Sequence, residues 1–296
     1  MSESRLLSIF TLRRWRQRPP VVAVVRLQGV IAPAAGLRAT LSLAGLAPTL
    51  QRAFAIKGVK AIALQINSPG GSPVQSALIA SRIRALAGEK NLPVYAFVED
   101  VAASGGYWLA CAADEIYADP NSIVGSIGVI SSSFGLEEFI ARHGVRRRVY
   151  TAGTHKGMLD PFLPENPEDI DRLKSMQAEI HENFKAEVRA RRGRKLKGEE
   201  GELFSGAFWT GARAREFGLI DGLGDLRTVM RTHFGPRVDL RLVGTQRGWL
   251  RRLMRAAAPI SPTGLETGSS APLAASLADG LLTALEERAW WGRYGL

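Results

Sequence analysis

The sequence predicts an α/β fold built on parallel strands. Short apolar, β-branched runs alternate with segments of helical periodicity along the first half of the chain. This alternation predicts parallel strands joined by right-handed helical crossovers. Two of the apolar runs lead into turns that contain adjacent glycines, Gly70-Gly71 and Gly105-Gly106. Because loops at the carboxyl ends of parallel strands carry the binding sites of such folds, we expect a site at these two turns.

Each element follows from its local pattern. Residues 21–27 (VVAVVRL) form a continuous apolar run, which is typical of a strand buried on both faces. Residues 167–191 have apolar side chains at helical spacing and predict a long amphipathic helix. Residues 151–164 and 189–197 are expected to be loops, the second one basic and solvated. The other predicted strands are 59–66, 94–98, 115–118, 145–150 and 236–243. The other predicted helices are 48–57, 74–87, 104–113 and 136–143, with a helix, a turn and another helix over 208–224 and 226–234.

Changes in composition divide the chain into three parts. Residues 1–20 form a basic amphipathic leader that ends in two prolines, and residues 21–235 contain the predicted α/β domain. Residues 236–296 form an extension, in which 259–272 is a linker rich in Pro, Ser, Thr and Gly. An Ala/Leu-rich helix with two tryptophans is expected over 273–296.

Length and cysteine content limit the class of protein. The chain has 296 residues and a hydrophobic content of 46%, which is enough for a substantial core. Its single cysteine, Cys111, excludes an internal disulfide framework, and its place on a predicted apolar helix indicates a packing role.

The formal net charge of +11 indicates an anionic partner. Zinc-ligand spacing, a phosphate-binding loop and RNA-binding aromatic motifs are all missing from the sequence, so a membrane surface is favoured over nucleic acid and no metal is expected. No run of 18 uncharged apolar residues occurs, which predicts no membrane-spanning helix. We therefore expect peripheral attachment to an anionic membrane, with the cytoplasmic face favoured.

Ser104 lies where a predicted strand turns into a predicted helix. The start of a helix has unpaired N–H groups and a partial positive charge, and glycines let another molecule approach the backbone closely. An exposed serine beside free backbone donors is what a serine nucleophile with an oxyanion hole requires. The alternative is a serine that caps the helix start and has no chemical role.

Several motifs in order give a more specific indication. Residues 66–71 (INSPGG), 103–107 (ASGGY), 125–128 (GSIG) and 211–224 (GARAREFGLIDGLG) are joined by a single lysine in the 151–164 loop. Together they resemble the S49 peptidase family of signal peptide peptidase A and SohB proteins, in its short form with one domain. The resemblance covers about residues 21–235 and implies the fold shared by Clp protease and crotonase, with repeated β-β-α and βαβ units.

The resemblance assigns roles to five residues. It implies that Ser104 is the nucleophile, that Lys156 is the general base and that Ser126 orients the lysine. It also implies that Gly71 and Gly105 supply the backbone N–H groups of the oxyanion hole. No cofactor or metal is implied. The expected activity is a serine endopeptidase with a Ser-Lys dyad, which cleaves apolar peptides such as signal peptide remnants at a membrane.

The family also implies an assembly. In its short form, the serine and the lysine of one site come from neighbouring subunits of a homo-oligomeric ring. Two expectations depart from the family pattern: no segment of this sequence is predicted to form the transmembrane anchor usual in the family, and no counterpart is expected for the extension after about residue 245.

Other interpretations of these residues remain open. Lys156 alone is indistinguishable from a surface lysine, and its neighbour His155 is an alternative base. The remaining histidines lie on predicted helices, where surface or packing roles are expected: His143, His181 and His233. A crotonase-type acyl-CoA enzyme would instead use an acidic base such as Glu99 or Asp100, and a catalytically idle membrane scaffold would need none of these groups.

Overall fold

The computed structural model of the chain describes residues 19–33, 40–244 and 288–296, and a mixed β-sheet lies at its centre. The strands are β1 (Val21–Gln28), β2 (Val59–Ser68), β3 (Val94–Ala103), β4 (Glu115–Ala118), β5 (Ile123–Gly125), β6 (Phe208–Thr210), β7 (Gly222–Leu223) and β8 (Asp239–Leu242). The helices are α1 (Leu43–Phe54), α2 (Pro73–Lys90), α3 (Gly105–Cys111), α4 (Glu137–Arg142), α5 (Pro167–Arg192), α6 (Glu200–Leu203), α7 (Gly211–Glu216) and α8 (Leu226–Phe234). A further helical turn covers residues 288–292.

The sheet has the order β6-β5-β3-β2-β1-β8, and β4 pairs with both β3 and β7. Every pairing is parallel except that of β5 with β6. The first half of β3 pairs with β4, at Tyr95–Val98, and its second half pairs with β5, at Val101–Ala103. The α/β class predicted from the sequence is therefore confirmed, and β3 ends next to β5, directly before Ser104.

Helices α1, α2 and α3 cover one face of the sheet. Their apolar side chains form the main core with those of the strands, and α3 is buried along its whole length. Cys111 is fully buried there, as predicted, and burial raises the pKa of its thiol to about 12. The thiol therefore stays protonated at neutral pH, and Cys111 has a packing role and is not a nucleophile.

Three predicted elements differ in the structure. The expected strand at 145–150 is an exposed, non-regular segment without a partner strand, and Arg147 pairs with Asp160. Residues 208–224 form β6, α7 and β7, since β6 extends the sheet at β5. Helix α1 begins five residues before the predicted start at Pro48, because the Ser42 side chain accepts a hydrogen bond from Gly45 N and caps the helix.

The prediction that residues 189–197 form a solvated loop was wrong for residues 189–192, whereas residues 193–197 lie beyond helix α5 and are largely exposed. Helix α5 continues to Arg192, whose side chain is buried and donates to the carbonyl of Gly218 and to Asp221. Arg191 donates to the carbonyl of Cys111 at the end of α3. These arginines satisfy backbone carbonyls that have no partner within their own helix or turn.

Among the described residues, no helix is both long and apolar enough to cross a membrane. Most of the basic leader, the 259–272 linker and most of the predicted 273–296 helix lie outside the described residues. Within the described residues, no cluster of three or more His, Cys, Asp or Glu side chains could hold a metal ion.

Candidate active site

Ser104 occupies a strained elbow between β3 and α3. Its backbone has φ 52° and ψ −122°, a region that residues with a side chain rarely adopt. The Ser104 side chain makes no capping hydrogen bond to α3. The alternative of a simple helix cap is therefore wrong, and the hydroxyl lines two adjoining cavities.

The elbow is fixed by its own backbone. The amide of Ser104 donates to the carbonyl of Gly125 at 2.8 Å, and its carbonyl accepts from the amide of Trp108 at 3.0 Å. The first bond joins the elbow to the end of β5, and the second starts α3. The position of the Ser104 hydroxyl thus depends on the sheet and on the buried helix together.

Gly71 and Gly105 lie side by side next to Ser104, and both line the smaller cavity. Gly71 has φ 138°, which favours glycine. A Cβ on Gly105 would overlap Ser76 Oγ and would lie 3.4 Å from Gly71 N, so the two backbones are close together. Neither amide has an acceptor among the residues that the structure describes. Two free amides beside a serine hydroxyl can stabilise an oxyanion.

The smaller cavity, of about 60 Å³, is predominantly apolar. Trp108 of α3 stacks on Phe184 of α5, with ring centroids 4.6 Å apart, and Ile180 lies one turn away on the same helix. Its lining residues are Gly71, Pro73, Ser104, Gly105, Trp108, Gly128, Val129, Ile130, Ile180, Phe184 and Trp290. An apolar side chain adjacent to Ser104 would find a matching surface here.

The larger cavity, of about 260 Å³, contains the polar side of the site. Ser126 is buried and has φ 53°, and its amide donates to the carbonyl of Ala207 at 2.7 Å. The Ser126 hydroxyl accepts a hydrogen bond from the hydroxyl of Tyr294 at 3.3 Å. His181 also lines this cavity, and its Nε2 lies 3.0 Å from the carbonyl oxygen of Ile127.

The structure does not bring Lys156 to Ser104 within one chain. Lys156 is exposed in a turn, with its amide bonded to the carbonyl of Gly153, and it lines neither cavity. His155 lies beside it and contacts Arg172 at 3.2 Å, also away from both cavities. Four of the five predicted site residues therefore share one place in the fold, and the lysine does not.

The acidic residues of the acyl-CoA alternative are engaged elsewhere. Glu99 accepts from Gln65 Nε2 and Asp100 accepts from Asn67 Nδ2, each at 2.6 Å. Neither carboxylate lines a cavity beside Ser104. No acid of β3 is therefore placed as a base at the elbow.

Sequence reasoning missed several residues of the site. His181 was expected to have a surface or packing role, yet it lines the larger cavity. Residues 288–296, here called the terminal segment, contribute Trp290 to both cavities and Arg293 to the larger one. The helical spacing on α5 predicts Ile180 and Phe184 as buried, but nothing local in the sequence places the terminal segment at Ser104.

The S49 peptidase family model matches residues 87–233, a range that contains Ser104, Ser126 and Lys156. The chain belongs to peptidase family S49. Its α/β sheet is accordingly the Clp protease/crotonase-like fold that the resemblance implied, and both predictions are confirmed.

Relatives of this S49 peptidase differ in length. A protein of Brucella abortus named Na(+)/H(+) antiporter NhaA is 53% identical over 98% of the chain, which spans 39% of that protein. The chloroplastic serine protease SPPA of Arabidopsis thaliana is 32% identical over 69% of the chain and 31% of its own length. A protein of Synechocystis, slr0021, is 32% identical over 67% of the chain and 72% of its own length.

A solved structure of a 1510-N membrane-bound stomatin-specific protease mutant, in complex with a substrate peptide, has 15% sequence identity to the chain. The match has a TM-score of 0.47 and covers 81% of the chain and all of that structure.

Proposed function

We propose that this S49 peptidase is a serine endopeptidase with Ser104 as nucleophile and Lys156 as general base, acting on apolar peptides such as signal peptide remnants at a membrane. The observation that carries the proposal is the Ser104 elbow. Its hydroxyl makes no capping bond, opens into two cavities and lies beside the amides of Gly71 and Gly105.

The proposed reaction is an acyl transfer. Ser104 Oγ attacks the scissile carbonyl carbon and gives its proton to the neutral amine of Lys156, while the carbonyl oxygen becomes an oxyanion held by the amides of Gly71 and Gly105. The lysine then protonates the departing amine, which leaves an acyl ester on Ser104. Water hydrolyses that ester by the same two steps, and Ser126 orients the lysine throughout.

A neighbouring subunit supplies the lysine in this proposal. Lys156 is exposed and away from Ser104 in its own chain. The surrounding residues 130–163 expose large apolar side chains that a second copy would cover: Ile130, Phe134, Phe139, Val145, Val149, Tyr150, Leu159 and Leu163. An exposed apolar patch of this kind favours an interface. Repeating one head-to-tail contact would close a ring and complete every site.

The preference for apolar peptides rests on the smaller cavity. Trp108, Ile180 and Phe184 give it an apolar wall directly beside Ser104. Attachment to an anionic membrane, with the cytoplasmic face favoured, rests on the net charge of +11 and on the basic leader. No cofactor is needed for this chemistry.

Two dead variants test the dyad and the shared site together. We expect Ser104→Ala to abolish both fluorophosphonate labelling and peptide hydrolysis. Lys156→Ala should abolish hydrolysis and, because Lys156 is exposed, leave the fold intact. Lys174→Ala is a matched control on an exposed lysine of α5. More than a few per cent of wild-type activity in either dead variant would contradict the dyad.

Mixing the two dead variants tests the assembly. In a mixed ring, some interfaces pair an intact serine with an intact lysine, so activity should return to about a quarter of wild type if subunits assemble at random. A mixture that stays inactive after verified subunit exchange would place both residues in the same chain.

A further inference from the structure

The terminal segment lies in the groove that a substrate would need. Trp290 forms part of the wall of both cavities beside Ser104, and Arg293 lines the larger one. The segment is anchored by Tyr294, which is buried against Val101 and Ala103 at the end of β3. The chain thus occupies its own site with an aromatic and basic stretch.

Tyr294 also engages the polar side of the site. Its ring packs edge-on against Phe208 of β6, with centroids 5.1 Å apart, and its hydroxyl donates to Ser126 Oγ at 3.3 Å. Ser126 is the residue proposed to hold the lysine of the dyad. Because that contact is buried, the terminal segment fills the space in which Lys156 of a neighbour would meet Ser126.

We propose that the terminal segment is an autoinhibitory element, which closes the site until peptide and lysine displace it. This inference rests on the proposed function, since it uses the roles of Ser104 and Ser126 given above. Its hold on the groove is modest: one hydrogen bond between uncharged groups and the packing of a few aromatic rings. The hydrogen bond itself changes an equilibrium by only about two- to tenfold, so a peptide and a lysine that make comparable contacts can displace the segment.

The first test measures how fast a fluorophosphonate labels Ser104 in full-length chains. Tyr294→Phe keeps the ring and removes the hydrogen bond, so labelling should be about two- to tenfold faster than in wild type if the closed state predominates. Trp290→Ala opens both cavities and should also speed labelling. Arg288→Ala, an exposed position of the same segment that lines neither cavity, should leave the rate unchanged.

A second test needs no chemistry at Ser104. A labelled peptide with the sequence of residues 288–296 (RAWWGRYGL) is titrated by anisotropy into full-length Ser104→Ala chains. It should bind more tightly when the chain also carries Trp290→Ala and Tyr294→Ala, which release the tethered copy. The same peptide with phenylalanine in place of its tyrosine should bind about two- to tenfold more weakly.

The outcomes separate the two proposals. If wild type labels, and Tyr294→Phe and Trp290→Ala label no faster, the autoinhibitory role is wrong and the peptidase proposal stands. If no variant labels, the peptidase proposal fails, and the peptide titration then decides whether the groove is a site for the terminal segment. If the peptide binds equally well to chains with and without Trp290→Ala and Tyr294→Ala, the autoinhibitory proposal is overturned.

Discussion

The amide of Ser104 donates a hydrogen bond of 2.8 Å to the carbonyl of Gly125, the residue directly before Ser126. Both serines have positive φ, as do only Asn91 and Leu159 among the non-glycine residues that the structure describes. Strained backbone persists where surrounding structure over-determines it, and it concentrates at functional sites. Because Ser104 is bonded to the residue directly before Ser126, the two strained backbones are held in a fixed relation to each other.

Ser126→Ala should lower kcat/KM by about 10- to 100-fold, without abolishing turnover, because Ser126 orients the base and forms no bond to substrate. The measurement is steady-state hydrolysis of an apolar peptide. Ser133→Ala, an exposed serine of the same region, serves as the control.

The Ser126 substitution also removes the partner of Tyr294, so it should be repeated in a Tyr294→Phe chain. There the loss should persist, since the terminal segment no longer bonds to either version of residue 126. Wild-type kinetics in both backgrounds would give Ser126 a structural role alone.

The sequence predicted the site better than its surroundings. Ser104, Gly71 and Gly105 could be placed because a strand, a turn and a helix are local patterns, and the elbow follows from them. Trp290 and Tyr294 could not, because their contacts with the site join residues far apart in the chain. The error at residues 145–150 has a related cause, since local composition cannot show whether a partner strand exists.

The apolar wall of the smaller cavity should determine which peptides are accepted. Ile180→Glu places a carboxylate beside Ser104, and burying it against an apolar substrate side chain is unfavourable. We expect kcat/KM for peptides with a large apolar residue at the cleavage site to fall by at least about tenfold, a change typical of one lost apolar contact.

Met176→Glu is the matched control for Ile180→Glu. Met176 lies about one turn earlier on α5, is exposed and lines neither cavity. It should leave kcat/KM unchanged. Equal losses in the two variants would mean that added negative charge on α5, and not the cavity wall, accounts for the effect.

Binding to anionic membranes should depend on basic residues that lie outside the described part of the chain. The relevant arginines are Arg5, Arg13, Arg14, Arg16, Arg18, Arg247, Arg251, Arg252 and Arg255. Each can contribute about 1 kcal/mol near an anionic surface, and salt screens that attraction. In flotation with anionic vesicles, the protein should rise with lipid at low salt and less so at high salt. A protein that stays in the soluble fraction under both conditions would show that the surplus charge has another use.

The ion pair between Arg192 and Asp221 should make stability depend on pH. Arg192 Nη1 lies 2.7 Å from Asp221 Oδ2, and Lys195 Nζ lies 2.7 Å from the other oxygen. Burial raises the pKa of Asp221, but hydrogen bonds from Arg192 and Lys195 outweigh that effect and hold the pKa below its usual value. The carboxylate therefore stabilises the fold at a pH above the unfolded pKa of about 3.9, and this contribution is lost as the pH falls through the lower folded pKa.

Asp221→Asn should therefore destabilise the protein at pH 7 by about 3 kcal/mol, because it leaves the buried Arg192 guanidinium without its counter-ion. Urea denaturation of both chains gives the difference, which should shrink as the pH is lowered below about 4, because the wild-type carboxylate is then protonated first in the unfolded and at lower pH in the folded state. Asp239→Asn breaks the exposed pair with Arg241 and should cost less than about 1 kcal/mol at any pH. A constant gap between wild type and Asp221→Asn from pH 7 to pH 3 would show that hydrogen bonds and packing, and not the charge of Asp221, provide its contribution.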